Sequence, residues 1–383
     1  MQKRKSVAIL DLGSHKMTVL VGQQGVNNIF NIQGIGEAAY AGFSGGEFLE
    51  KDALLDAVRT VIEQAENQIK DRITDVFVGV PGEFTTAMCY DSFITFKGKR
   101  RKVTDIDVQE LYAASGIKTG EYVLINSAPI FYALDDNKKE LSPVGMISGK
   151  ISGTLSYIYA EKNFLTLMDG ILDSLNLSHR YISSVLAEAM LLFEERERQV
   201  LFADIGYITT SVALMQGEGL LMLKSFSAGG AHVAADLMAC LNIPFDAAEQ
   251  LKNKIRLGTE TSEEEMYTVI GQGGSMSIPV RDANDIAEAR VEALAQMIAR
   301  CIAKHPQPVA RHLTLYITGG GISYMRGAAD IISRVTGRNV EIAVPPLPQI
   351  NRPNLSSCYG VLNLALKQAE PVKKSFWQRL FGK

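Results

Sequence analysis

Asp11, Gly13, Ser14 and Lys16 stand together in the stretch VAILDLGSHKMTVLVG, residues 7–22. The apolar run at 7–10 is the pattern of a buried strand, and a second strand is expected over 17–21. Between them Gly13 permits a left-handed turn, so residues 13–16 can turn backbone N–H groups inward, a geometry that binds phosphate oxygens. Asp11, at the end of a buried strand, suits a hydrated divalent cation, because Mg²⁺ keeps several waters and takes one or two carboxylates. Lys16 adds a point charge suited to phosphate. The same residues are compatible with an ordinary hairpin and a solvated turn.

The stretch recurs. Residues 200–214, VLFADIGYITTSVAL, again run from an apolar strand through Asp204 and Gly206 to a second strand. Two such units half a chain apart predict two related lobes with facing phosphate loops. A third apolar strand, LTLYITGGG at 313–321, ends in Gly319, Gly320 and Gly321, which let backbone approach a ligand closely. Each loop alone is a weak signal; the three in this order and spacing are a strong one.

At 383 residues the chain is too long for one small core and is expected to form two or more domains. A hydrophobic fraction of 46% and a charged fraction of 21% are those of a globular protein. A net charge of −3 gives no general attraction to nucleic acid. Cys89, Cys240, Cys301 and Cys358 are scattered without metal-binding spacing, which favours reduced thiols. The first ten residues lack a signal-peptide core, and no run is long enough to cross a bilayer, so a cytoplasmic protein is expected.

Between the loops, helices are predicted over 52–69, 163–175, 181–194, 231–241, 245–255 and 285–303, and from Thr104 onward. Strands are predicted over 76–80, 123–126 and 151–160. The basic cluster at 98–102 fits a solvated loop.

The three loops resemble the phosphate-1, phosphate-2 and adenosine motifs of the actin/Hsp70/sugar-kinase superfamily. Within it the chain resembles the FtsA family of bacterial cell-division proteins over nearly its whole length. The likeness extends to Val78-Gly79-Val80-Pro81-Gly82, to the helix start at 103–108, to Ser142-Pro143-Val144-Gly145-Met146 (similar to NPVG(L/M)xG) and to Ala248-Glu249-Gln250-Leu251-Lys252 (similar to AExxK). The resemblance implies an α/β fold, the actin-like, ribonuclease H-like two-lobed architecture, with the family's inserted subdomain 1C. It implies subdomain 1A at 1–83 and 161–199, 1C at 84–160, 2A at 200–235 and 310–366, 2B at 236–309, and a linker and amphipathic helix at 367–383. It also implies ATP and Mg²⁺ as cofactors. Asp11, Gly13, Ser14 and Lys16 would meet the phosphates from one side, and Asp204, Gly206, Thr209 and Thr210 from the other. Asp11 and Asp204 would face the metal through water. Gly229, Gly230, Glu249, Lys252, Gly319, Gly320, Gly321 and Ile322 would complete the nucleotide site. The chain departs from the family's DIGGGTTD pattern at Tyr207, Ile208 and Ser211, and bulky residues disfavour left-handed backbone, so either a reshaped phosphate cradle or weak ATP binding is expected. Ser184 and Glu188 are polar candidates near the hydrolytic position; no catalytic base is assigned, and any ATPase activity is expected to be weak.

The tail KKSFWQRLFGK follows Glu370 and Pro371. On a helix Phe376, Trp377, Leu380 and Phe381 share a face, while Lys373, Lys374 and Arg379 supply positive charge. This composition predicts an interfacial helix on anionic lipid; a helix packed back on its own domain is the alternative. By resemblance the further partners are the C-terminal peptide of FtsZ on subdomain 2B, other division proteins, and the chain itself in filaments, at the cytoplasmic face of the membrane and the septum. Arg290, Arg300 and Lys304 are candidates to face an acidic peptide. A PilM-like scaffold of a pilus or secretion system and a small-molecule kinase are the competing functions, and neither accounts for the tail.

Overall fold

The computed structural model describes residues 6–25, 29–98, 100–115, 120–260, 262–271 and 274–369. The expected tail helix, with Lys373, Lys374, Phe376, Trp377, Arg379, Leu380 and Phe381, lies outside the described residues.

The first lobe opens with β1 (Val7–Leu12), β2 (Lys16–Gln24) and β3 (Phe30–Ala39), followed by the short hairpin β4 (Phe43–Ser44) and β5 (Glu47–Phe48), α1 (Lys51–Ile69) and β6 (Asp75–Val80). The chain then leaves the lobe for an insert: β7 (Thr85–Thr95), β8 (Arg101–Lys102), α2 (Asp105–Ser115), β9 (Tyr122–Ala133), β10 (Lys139–Glu140), β11 (Ile147–Ser148) and β12 (Lys150–Glu161). It returns through α3 (Lys162–Ser174), β13 (Ser178–Ser183) and α4 (Ser184–Leu192). The second lobe holds β14 (Val200–Ile205), β15 (Thr210–Gln216), β16 (Gly219–Phe226), α5 (Gly230–Leu241), α6 (Phe245–Lys252), β17 (Met266–Gly271), β18 (Gly274–Pro279), α7 (Val280–Ala303), β19 (Leu315–Thr318), α8 (Ala328–Thr336), β20 (Val340–Ile342) and α9 (Ser356–Ala369).

The two lobes repeat one sheet. The first has strand order β13-β6-β1-β2-β3, the second β16-β15-β14-β19-β20. In each, an antiparallel meander of three strands is extended by two parallel strands. The register makes Asp11 (opposite Thr18) the counterpart of Asp204 (opposite Ser211). Strand β1 is buried throughout because both faces are covered. Ala8, Leu10 and Leu12 point into the core shared with α1 and α3, while Val7 and Ile9 meet α9. This double burial is why the sequence shows an unbroken apolar run there and not an alternating one.

Helices α4 and α9 lie between the sheets. Val361, Leu362 and Ala365 of α9 pack on the first sheet, and Val185, Leu186 and Ala189 of α4 pack on the second. They cross at Gly360, where a Cβ would sit 2.7 Å from the Glu188 backbone. The helix predicted over 181–194 is shorter than expected. Tyr181, Ile182 and Ser183 complete β13, which pairs with β6 in parallel. Ser183 then caps α4, its Oγ accepting from the Leu186 N–H at 3.3 Å. A hydrophobic run that continues from strand into helix hides this boundary.

The insert forms its own sheet, β10-β9-β12-β7, with a core around Leu111, Tyr132, Leu155 and Tyr157. At the start of α2, Asp107 accepts from the Thr104 N–H at 2.8 Å and from its hydroxyl at 2.7 Å. The basic cluster beside it is partly consumed: Arg101 forks onto Asp107 at 2.7 and 2.6 Å, and Arg100 pairs with Asp135 at 2.9 Å. The insert also leans on the second lobe, where Ser156 Oγ bonds both the carbonyl (2.8 Å) and the N–H (3.1 Å) of Leu220.

Candidate functional site

The repeated sheets aim their equivalent aspartates into one cleft. Asp11 ends β1 with its side chain buried. Its Oδ1 accepts from Ser357 of α9 at 2.9 Å and from Ser184 of α4 at 3.2 Å. Burial pushes its carboxyl up to about 6, against the pull of those two hydroxyls and of Lys16. Asp204, at the matching end of β14, is pushed up to about 7, by burial first and by the Asp11 charge second. Glu188 of α4 completes the cluster at 1% exposure. One of its oxygens accepts from Ser356 Oγ, and the other, Oε2, is buried with no partner among the described residues. Burial, then Asp204, hold this carboxyl well above its ordinary range.

The cluster is desolvated and short of counter-charge, so its ionisation is costly and a cation would relieve that cost. Among the described residues no three carboxylate, histidine or cysteine groups gather closely enough to hold a metal directly. The donor set therefore fits a cation held through its water shell, with Asp11 and Asp204 as the outer carboxylates.

Both loops make the same turn. Gly13 N–H donates to the Lys16 carbonyl at 3.0 Å, and Gly206 N–H to the Thr209 carbonyl at 2.9 Å. The left-handed backbone that Gly13 permits is not adopted. What excludes a side chain there is the Lys16 carbonyl, 2.7 Å from where a Cβ would stand. Tyr207 and Ile208 also avoid positive φ, so the turn accommodates both without backbone strain. The loops touch: Ile208 N–H donates to Ser14 Oγ at 2.9 Å, and the His15 and Tyr207 rings lie 4.3 Å apart.

Backbone hydrogen bonds hold the second loop in place. Gly230 N–H donates to the Gly206 carbonyl at 3.0 Å, Ala231 N–H to Tyr207 at 2.7 Å, and Gly321 N–H to Ile205 at 2.7 Å. Gly229, Gly230 and Gly321 thus serve the packing of three backbones. A Cβ on Gly230 would lie 2.4 Å from the Gly321 carbonyl. Gly319 is required twice over, by a φ of +86° and by Asp204 Oδ1, which a Cβ would approach to 2.2 Å.

A cavity of about 230 Å³ fills the cleft, lined among others by Asp11, Gly13, Ser14, Lys16, Glu188, Asp204, Gly206, Thr209, Gly319 and Gly320. Other residues singled out from sequence lie off it. Thr210 is buried and its hydroxyl donates to the Ala228 carbonyl at 2.6 Å. Ile322 belongs to the second lobe's core. Lys16 lines the cavity with its Nζ drawn to Glu37, 2.6 Å away. Glu249 and Lys252 bind one another at 2.8 and 2.9 Å behind Tyr207. Asn354, Ser356 and Ser357 line the cavity and were missed from sequence. The signal was present in Pro353 ahead of a Ser-Ser pair, the start of a helix whose first hydroxyls face the carboxylates. A larger cavity of about 580 Å³, beside Arg311, Arg334 and Arg338, lies away from the carboxylate cluster.

The raised carboxyls make stability depend on pH. The unfolded chain ionises near the ordinary values of 3.8 for both aspartates, while the folded chain holds those protons to about 6 and 7. Folding therefore binds extra protons, and this contribution to stability, complete below pH about 4, is lost as pH rises to about 7. Asp204→Asn, which cannot ionise, should shrink the fall in melting temperature between pH 5 and pH 8, by on the order of a few degrees. Thermal unfolding at the two pH values decides it; an identical fall in both proteins counts against the assignment.

Residues 201–360 match the family model for Cell division protein FtsA. Among curated proteins, Cell division protein FtsA of Bacillus subtilis (strain 168) is 22% identical over 372 residues, covering 94% of this chain and 83% of that protein. The FtsA protein of Neisseria meningitidis serogroup B is 24% identical over 381 residues, covering 96% and 91%. Among solved structures, the PilM-PilN type IV pilus biogenesis complex superposes with a TM-score of 0.62 at 16% identity, covering 96% of this chain and 100% of that one. MreB5 of Spiroplasma citri bound to ADP superposes with a TM-score of 0.55 at 12% identity, covering 96% and 99%. These superpositions establish an actin-like fold. The match over 201–360 and the likeness to FtsA proteins along nearly the whole chain make the chain similar to the FtsA cell-division proteins, on an actin-like fold.

Proposed function

We propose that the chain is an actin-like cell-division protein that binds ATP with Mg²⁺ between its lobes, polymerises, and tethers an FtsZ ring to the membrane through residues 373–383. The observation that carries the reading is the pair of matching turns, Gly13–Lys16 and Gly206–Thr209, each beside an aspartate at the end of an equivalent strand. Backbone N–H groups and the Ser14 and Thr209 hydroxyls receive the phosphates from both lobes. Asp11 and Asp204 orient the waters of the cation, and Ser184 and Ser357 fix the direction of Asp11. The cation, when bound, neutralises phosphate charge. The relatives' name supports the division role, and the MreB5 structure carries ADP.

In this reading the insert, residues 84–160, is subdomain 1C, and residues 236–309 are subdomain 2B, the receptor for the FtsZ peptide. Arg290 is already held by Asp236 at 2.5 and 2.8 Å, which leaves the exposed Arg300 and Lys304 as the basic groups offered to that peptide. Among the described residues no helix is long and apolar enough to cross a membrane, which agrees with attachment at the surface. Actin-like chains assemble head to tail, a contact that does not close. Electron microscopy on an anionic lipid monolayer should therefore reveal filaments with ATP and Mg²⁺. Dispersed particles at high surface density would overturn the proposal.

A further inference from the structure

Tyr207 stands where the family pattern has glycine, and its side chain spans the cleft. Its ring lies 4.3 Å from that of His15 on the first lobe, at an interplanar angle of 30°. On the other side burial, helped by the nearby Glu249 carboxylate, pushes its hydroxyl up, and Lys252 Nζ lies 5.3 Å from the ring centre. Directly beside it, the Ile208 N–H and Ser14 Oγ close the loops together at 2.9 Å. The consequence is a division of the cleft. The cavity on the Asp11 side measures about 230 Å³, below the range of about 300–1,000 Å³ typical of small-molecule sites. Glu249 and Lys252 fall outside its lining. A volume of that size suits an inorganic phosphate or pyrophosphate, and Tyr207 stands at its edge, between it and the Glu249–Lys252 pair.

We propose that Tyr207 is a strap across the cleft that determines ligand selectivity: it leaves the phosphate half open and admits a nucleoside only after its ring has left His15. The inference rests on the nucleotide reading above. The Tyr207 carbonyl accepts from Ala231 N–H at 2.7 Å, so the backbone stays anchored and the side chain alone moves. A ligand that binds only the open strap has its affinity divided by the closed population, and removal of the strap restores it.

Calorimetry on the full chain tests this with two probes, Mg²⁺-ATP and Mg²⁺-pyrophosphate. Tyr207→Gly should bind Mg²⁺-ATP at least tenfold more tightly than the natural chain, a gain well beyond any change in its pyrophosphate affinity. His15→Ala, which cuts the strap from the opposite lobe, should move ATP affinity in the same direction and provides the answer if Tyr207→Gly does not fold. Tighter ATP binding in the variants while the natural chain binds none supports the strap and ends the nucleotide reading for the natural chain. ATP binding by the natural chain that neither variant improves overturns the strap alone. A parallel gain for pyrophosphate overturns it too, because the effect would then be general loosening of the loops. Absence of ATP binding in all three proteins overturns both.

Discussion

On the proposed function, Asp204→Asn should abolish most of the stabilisation expected of Mg²⁺-ATP. Asp204 and Asp11 end equivalent strands and feel each other's charge inside a buried cleft, an arrangement that costs the apo protein stability and is relieved by a cation. The substitution takes away one of the two carboxylates assigned to the hydrated ion. Outer-shell partners of a metal typically change affinity about 10–100-fold, and a carboxylate in the cleft should lie at or above the upper end of that range. Because a bound ligand raises stability by RT ln(1 + [L]/Kd), a hundredfold loss removes about 2.7 kcal/mol of ligand stabilisation at saturating nucleotide. Thermal shift with and without Mg²⁺-ATP measures this, with ATP in a chelator as the control. The shift should also grow from pH 6 to pH 8, since protons held at about 6 and 7 on Asp11 and Asp204 must leave before the cation is received. An equal shift in the variant and the natural protein would remove Asp204 from the site.

Deletion of residues 373–383 should release the protein from anionic liposomes. Trp377 and its neighbours Phe376, Leu380 and Phe381 supply about 1.5–3 kcal/mol each when fully buried, before ordering costs. Lys373, Lys374 and Arg379 add about 1 kcal/mol each near an anionic leaflet, screened by salt. On the proposed function one tail would be a modest, reversible anchor, and a filament would multiply it by avidity. Trp377→Glu should act like the deletion, lowering the bound fraction at least tenfold in co-sedimentation. Trp377 is the sole tryptophan, so its emission should move to the blue on addition of liposomes. An unchanged spectrum, with binding retained by Trp377→Glu, would locate the anchor elsewhere.

The duplicated architecture was legible because strands buried on both faces leave unbroken apolar runs, and both runs end in Asp-x-Gly. The helix at 52–69 was legible from its spacing: the buried stripe Leu54, Val58, Val61, Ile62 and Ala65 leaves a clear period. The junction of β13 and α4 was not, since Ile182, Val185 and Leu186 are apolar and all of them are buried. Nor was the engagement of Thr210 with Ala228, or of Lys16 with Glu37. Such pairings depend on contacts between distant segments, and residue type does not encode them. At Tyr207 a reshaped phosphate cradle or weak ATP binding was expected from the lost glycines. The structure shows a backbone without positive φ there and a side chain lying against His15, an outcome decided by what stands on the opposite side of the cleft.

The most direct measurement of the central claim is calorimetric titration of the full chain with ATP in the presence of Mg²⁺. A nucleotide held between facing phosphate loops predicts a saturable site, one per chain, within the millimolar range and lost when both Asp11 and Asp204 are replaced by Asn. Heats no greater than dilution up to millimolar ATP, or a site that survives the double replacement, would contradict it.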